Sequence, residues 1–164
     1  IGAWSHVCGV FASATDRRVF LNGGGKVTSA TSRVPTGINN TDVGQDGADN
    51  QDFNGRMAEF AIWNVALSDA DVADLAKGFS PLLIKRRWLV AYYPLLGRQS
   101  GREIDLIGGN HLTVTGATQA AHPRILTPED VMTPHVPAAV AAMVGRIVGR
   151  PLVGAGVTGR GIVA

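Results

Sequence analysis

One hundred and sixty-four residues, 45% of them apolar, can build one core of ordinary size but are too few for two full domains. Twenty-one glycines and eight prolines make the chain turn-rich, yet its apolar content excludes wholesale disorder and a collagen-like chain. Fifteen basic against thirteen acidic residues leave a formal charge of +2, too even to steer the whole molecule to a polyanion, and the longest uncharged apolar run, Val136 to Gly145, falls short of the ~20 residues of a membrane-spanning helix.

In chain order, Trp4 to Phe11 alternates Trp4, Cys8 and Val10 against Val7 and Phe11, which predicts a strand covered on both faces. Cys8 is the single cysteine, so no intrachain disulfide can form, and it reads as a small buried hydrophobe. Val19 to Leu21 and Lys26 to Val34 flank the turn Asn22-Gly23-Gly24-Gly25 and predict an antiparallel pair. Thr36 to Val43 offers a further short strand, and Gly44 to Gly55 is a polar loop. Arg56 to Trp63 is apolar on both faces apart from Glu59 and predicts a central strand, with Glu59 bridging to an arginine or standing at a solvated rim.

The period then changes. Ser68 with Asp71 three residues on, acids in the first turn, Val72, Leu75 and Ala76 at helical spacing and Gly78 beyond predict one helix of about nine residues. Trp88 to Leu96 alternates again as a strand, Gly97 to Gly101 and Gly108 to Asn110 are loop and turn, and Leu112 to Val114 is a last short strand. Trp4, Phe60, Trp63 and Trp88 read as core residues rather than sugar-stacking surfaces. Short strands at this spacing with one helix predict an all-β fold, an antiparallel β-sandwich over residues 1–126. Residues 127–164 carry four prolines, six glycines, no aromatic residue and no acid after Asp130, and predict an irregular, basic C-terminal arm. Within it Val136 to Val148 reads as a short Ala/Val helix that needs a partner surface, with Arg146, Arg150 and Arg160 as docking residues.

Several motifs resemble those of the laminin-G-like, concanavalin A-like lectin/glucanase domain. They are Trp4-Ser5-His6-Val7, Val19-Phe20-Leu21-Asn22-Gly23, Asp42-Val43-Gly44, Phe53-Asn54-Gly55 through Trp63, and Ala66-Leu67-Ser68-Asp69-Ala70-Asp71. Ser80-Pro81-Leu82-Leu83, Leu89 to Leu95 and His122-Pro123-Arg124-Ile125 resemble the version of this domain found in tailed-phage and prophage structural proteins. The resemblance implies a jelly-roll sandwich, sugar-binding loops and, in many relatives, calcium near the sugar. It also implies strands ahead of Trp4 that this chain lacks. They would be absent with a preceding stretch of a processed or fragmentary chain opening on Ile1, supplied by a neighbouring subunit, or replaced by Leu89 to Ala117.

Chemistry narrows the function. A retaining glycosidase needs two carboxyls about 5–5.5 Å apart, and the three glutamates, Glu59, Glu103 and Glu129, form no such pattern, so no enzyme is expected. The polar cluster of interest is Asp46, Asp49, Asn50 and Asp52, read as ligand-binding, with Asp42, Asp46, Asp49 and Asp52 as the oxygen set calcium would take. Lys85-Arg86-Arg87 beside Trp88 is the densest basic patch, but three charges without a nucleic-acid motif give no expectation of nucleic acid binding. The expected function is a non-catalytic binding or structural module of a virion, partnered by other virion proteins, its own copies or cell-surface glycan. The alternatives are a carbohydrate-binding module of a secreted bacterial protein and, least favoured, a sandwich-type glycoside hydrolase.

Overall fold

The computed structural model describes residues 3–37, 40–45 and 52–132. Strands β1 (Val7–Ser13), β2 (Asp16–Leu21) and β3 (Gly24–Ser29) form one antiparallel sheet in that order. The β2–β3 turn is Asn22-Gly23, with φ of 53° and 74°, the doubly left-handed turn whose twist suits a tight hairpin. Gly23 also lies against the helix that follows: a Cβ there would stand 2.8 Å from the Cβ of Ala76 and 3.1 Å from the Cα of Ala73. The strand begins at Gly24, inside the glycine run, and the stretch 36–43 holds no strand among its described residues.

A second sheet pairs β4 (Phe60–Trp63) antiparallel with β5 (Leu89–Tyr93), Phe60 opposite Tyr93 and Ile62 opposite Ala91. The predicted central strand over 56–63 is thus four residues long and, among the described residues, hydrogen-bonded on one side. Its start is set by Glu59, whose φ of 59° no extended strand accommodates. β5 starts one residue after Trp88, which belongs to a 3₁₀ turn (Arg86–Trp88). A two-residue ribbon, β6 (Arg102–Glu103) with β7 (Leu112–Thr113), completes the sheets; β6 falls where the sequence shows no alternation.

In chain order α1 (Asp69–Ala76) lies between β4 and β5. Ser68 Oγ accepts from Asp71 N–H at 3.2 Å while Asp71 Oδ2 accepts from Ser68 N–H at 2.7 Å, the reciprocal cap expected from S-x-x-D. Val72 is fully buried and joins Val10, Phe20, Leu67 and Ile84 in the core, with Cys8, Trp63, Leu75 and Phe79 packed around them. Burying Phe20 and Val72 stabilises the fold by about 1.5–3 kcal/mol each. Trp63 Nε1 donates to the Ile84 carbonyl at 2.8 Å, which fixes β4 to the segment after α1. Lys26 pairs with Asp69 at 2.7 Å, and the chain returns as Leu126 bridges Phe79 in parallel. A second short helix, α2 (Pro128–Met132), follows at once, in residues expected to be irregular. Thr127 and Asp130 repeat the reciprocal cap, Thr127 N–H donating to Asp130 Oδ2 at 2.8 Å.

One face of the three-stranded sheet departs from expectation. The even face, Cys8, Val10 and Phe20, is covered by α1 and its surroundings. The odd face is not: Val7, Phe11 and Val27 are 68–73% exposed, and Val19 and Leu21 about half exposed. Among the described residues no second sheet closes over it, so the predicted two-sided cover of β1 is corrected to one side. The architecture shown is antiparallel sheets with few helices. Among the described residues no helix is long and apolar enough to cross a membrane.

Candidate functional site

The polar loop is closed at its base by an antiparallel bridge between Gln45 and Asp52, and Phe53 N–H donates to the Gly44 carbonyl at 2.8 Å. Asp42 and Asp52 stand exposed at this stem, and the Asn40 side-chain amide lies 2.8 and 2.9 Å from the two carboxylate oxygens of Asp42. Asp46, Asp49 and Asn50 lie outside the described residues, as do Arg146, Arg150 and Arg160. Among the described residues no group of three His, Cys, Asp or Glu is arranged to hold a metal ion.

Beyond the stem the chain turns at Gly55, where a Cβ would stand 2.6 Å from the Phe53 ring, so that the ring folds back over bare backbone. Arg56 follows, its guanidinium carbon 5.9 Å from the centre of the Trp4 ring. That geometry is a cation–π contact. Trp4 precedes β1 by three residues, and its side chain is left outside the core, 41% exposed. Trp88 is likewise 44% exposed, with Arg87 over its ring at 5.5 Å. Both correct the expectation of core tryptophans, whereas Trp63 packs against the core as predicted. The signal for Trp4 was its place ahead of the ladder, where alternation has no hold on it.

Trp4, Phe53, Arg56 and Met57 share the wall of a half-open cleft of about 1140 Å³ that runs between β1 and β4. Glu59 lines the same cleft, largely buried, and its described partners are Tyr92 and His122 rather than an arginine. Tyr92 Oη donates to its Oε2 at 2.6 Å and His122 Nε2 lies 3.2 Å from Oε1. Burial pushes the Glu59 carboxyl above the ordinary carboxylate range, the Tyr92 hydroxyl and His122 pulling against it. The basic patch is partly consumed: Lys85 pairs with Asp71 at 2.9 Å and reaches the Ala66 carbonyl at 3.3 Å.

The family described as Laminin_G_3, Concanavalin A-like lectin/glucanases superfamily, matches residues 1–73. The matched stretch, just under half of the chain, spans β1 to the first turns of α1 and includes Trp4, Arg56 and the acidic loop. No curated protein and no solved structure matches the chain. The similarity therefore covers the cleft's β1 and β4 walls and most of the candidate site, and stops short of β5.

Proposed function

We propose that the chain is a non-catalytic module that binds carbohydrate against Trp4, its sheets belonging to a concanavalin A-like jelly-roll sandwich. The observation that carries this reading is the exposed Trp4 ring, braced by Arg56 in a cleft that Phe53, next to the stem of the acidic loop, also lines. A sugar ring presents an apolar C–H face to an indole while its hydroxyls reach neighbouring carboxylate, amide and guanidinium groups. The similarity of residues 1–73 to a lectin/glucanase superfamily supports it. Against catalysis stands the use of the Glu59 carboxylate by Tyr92 and His122. Asp46, Asp49, Asn50 and Asp52 are assigned to the ligand, and Asp42, Asp46, Asp49 and Asp52 to calcium.

We assign the module to a phage virion, as a structural or decoration component docked through Arg146, Arg150 and Arg160. Support for this setting is the resemblance carried by Ser80 to Leu83, Leu89 to Leu95 and His122 to Ile125. Co-sedimentation with purified particles tests it, and a protein found only free favours a secreted carbohydrate-binding module.

The binding test is a glycan array probed with the full chain, in calcium and again in EDTA. At least one glycan is expected to bind, and Trp4→Ala should weaken it tenfold or more with no change in melting temperature. An array without binding, or a Trp4→Ala protein that binds as well as the parent, overturns the reading. Undiminished binding in EDTA removes calcium from it.

A further inference from the structure

Consecutive residues line the cleft along two walls, from Trp4 to Ala12 on one side and from Arg56 to Leu67 on the other. A strand that turned one face to a cavity would contribute every second residue. Unbroken runs mean that β1 and β4 are presented edge-on.

Topology and hydrogen bonding agree. Among the described residues β1 is an outer strand of its sheet, and β4 is paired only with β5. Asn22 N–H donates to the His6 carbonyl at 2.8 Å, so His6 faces β2, and the alternation of an antiparallel ladder turns the main chain of Val7, Gly9 and Phe11 the other way, into the cleft. On β5, Tyr92 N–H donates to Asp105 Oδ1 and its carbonyl accepts from Leu106 N–H, both away from β4. Its partner Ala61 is therefore turned away from β5, again into the cleft. Beneath lie Trp63, Leu75 and Phe79, packed on the core.

We propose that this cleft takes an extended segment of another polypeptide, apolar at every second residue, which adds as a strand bonded to both β1 and β4. Two facing rows of main-chain donors and acceptors are matched by an extended peptide, whose own groups alternate to both sides along its length. The floor asks for apolar side chains on one face of that segment. Such a strand must have both edges free. Every strand among the described residues already spends at least one edge inside its own sheet, so the donor is not a described strand of this chain or of a second copy. This inference does not rest on the carbohydrate reading, which uses the Trp4 ring beyond the end of β1.

Amide hydrogen exchange on the full chain tests it, with a panel of capped eight-residue peptides carrying Val, Ile, Leu or Phe alternately with Thr. A matching peptide should slow exchange at Val7, Gly9, Phe11 and Ala61 at least tenfold. The same peptide N-methylated at alternate residues should bind at least tenfold more weakly. Gly9→Pro, which removes an amide that β2 does not use, should abolish the protection with the melting temperature nearly unchanged. The proposal is overturned if no peptide of the panel slows these amides, or if the N-methylated form binds equally well. It is also overturned if the four amides are already protected in the chain alone, which would mean that its own segment or a second copy fills the cleft.

Discussion

Asp105 is a buried carboxylate that gives up no charge. It accepts from the main-chain N–H groups of Tyr92 and Ile107 at 3.0 Å and of Gly108 and Asn110 at 3.1 Å, so that one side chain closes the 105–110 turn onto β5. Burial pushes its carboxyl up, but these four donors together hold it below the ordinary carboxylate range. Asp105→Ala would leave the donors in a site shut from water and should cost about 3 kcal/mol, read as a lower urea midpoint. Because the folded value lies below the unfolded one, the stability it contributes is present above the unfolded carboxylate range near pH ~4 and is lost as pH falls through the folded value. Acidification should therefore lower the parent's urea midpoint, and Asp105→Asn should flatten that dependence. A midpoint in Asp105→Asn that falls as steeply as the parent's would show that other groups carry it. The spacing of Asp105 to Gly108-Gly109-Asn110 was visible in the chain, but a carboxylate's partners here are main-chain groups, which leave no mark on side-chain pattern.

Among the elements, α1 was the most legible, while β4 was legible in part and β6 not at all. Eight residues are too few for a helix to stand alone in water, so α1 depends on its cap and on burial of Val72, and both are written locally as S-x-x-D and helical spacing. Ser68→Ala should cost about 1 kcal/mol by urea unfolding, with the sheet intact by circular dichroism. A loss near zero would mean that the Asp71–Lys85 pair, at 2.9 Å, holds the first turn without the hydroxyl. β4 was overextended because the alternation of Arg56 to Trp63 says nothing of the backbone turn at Glu59. That turn is stabilised by Tyr92 and His122, 33 and 63 positions along the chain, and so belongs to tertiary rather than local structure. The candidate site shows the same division. The acidic loop was legible from its composition, whereas the Trp4–Arg56 contact joins residues 52 positions apart and had no sequence signal.

Across the whole molecule the apolar pattern is richer than the cover it receives. The alternation of β1 correctly showed two apolar faces, but pattern records a side chain's affinity for burial and not whether a partner is present. Val7, Phe11, Val19, Leu21 and Val27 thus form an apolar patch on the odd face of the sheet. Such a patch binds environment-sensitive dyes and lowers solubility. Phe11→Ser with Val19→Thr should reduce anilinonaphthalene sulfonate fluorescence severalfold while shifting stability by no more than about 0.5 kcal/mol per site, since exposed side chains carry little packing energy. A large loss of stability would show that the face is covered in solution.

The contact of Gly23 with Ala73 and Ala76 sets a limit on how the two parts of the fold can vary. The hairpin tip and the last turn of α1 compete for one small volume, so a methyl group gained at position 23 has to be matched by backbone retreat, because Ala76 has no larger side chain left to trim. Sheet and helix are keyed together like a tongue in a slot. Rotation of α1 about its axis would bring Ala73 and Ala76 against the hairpin and tilt β2 and β3 with it, and the inclination of the whole three-stranded sheet is read from the width of two alanines.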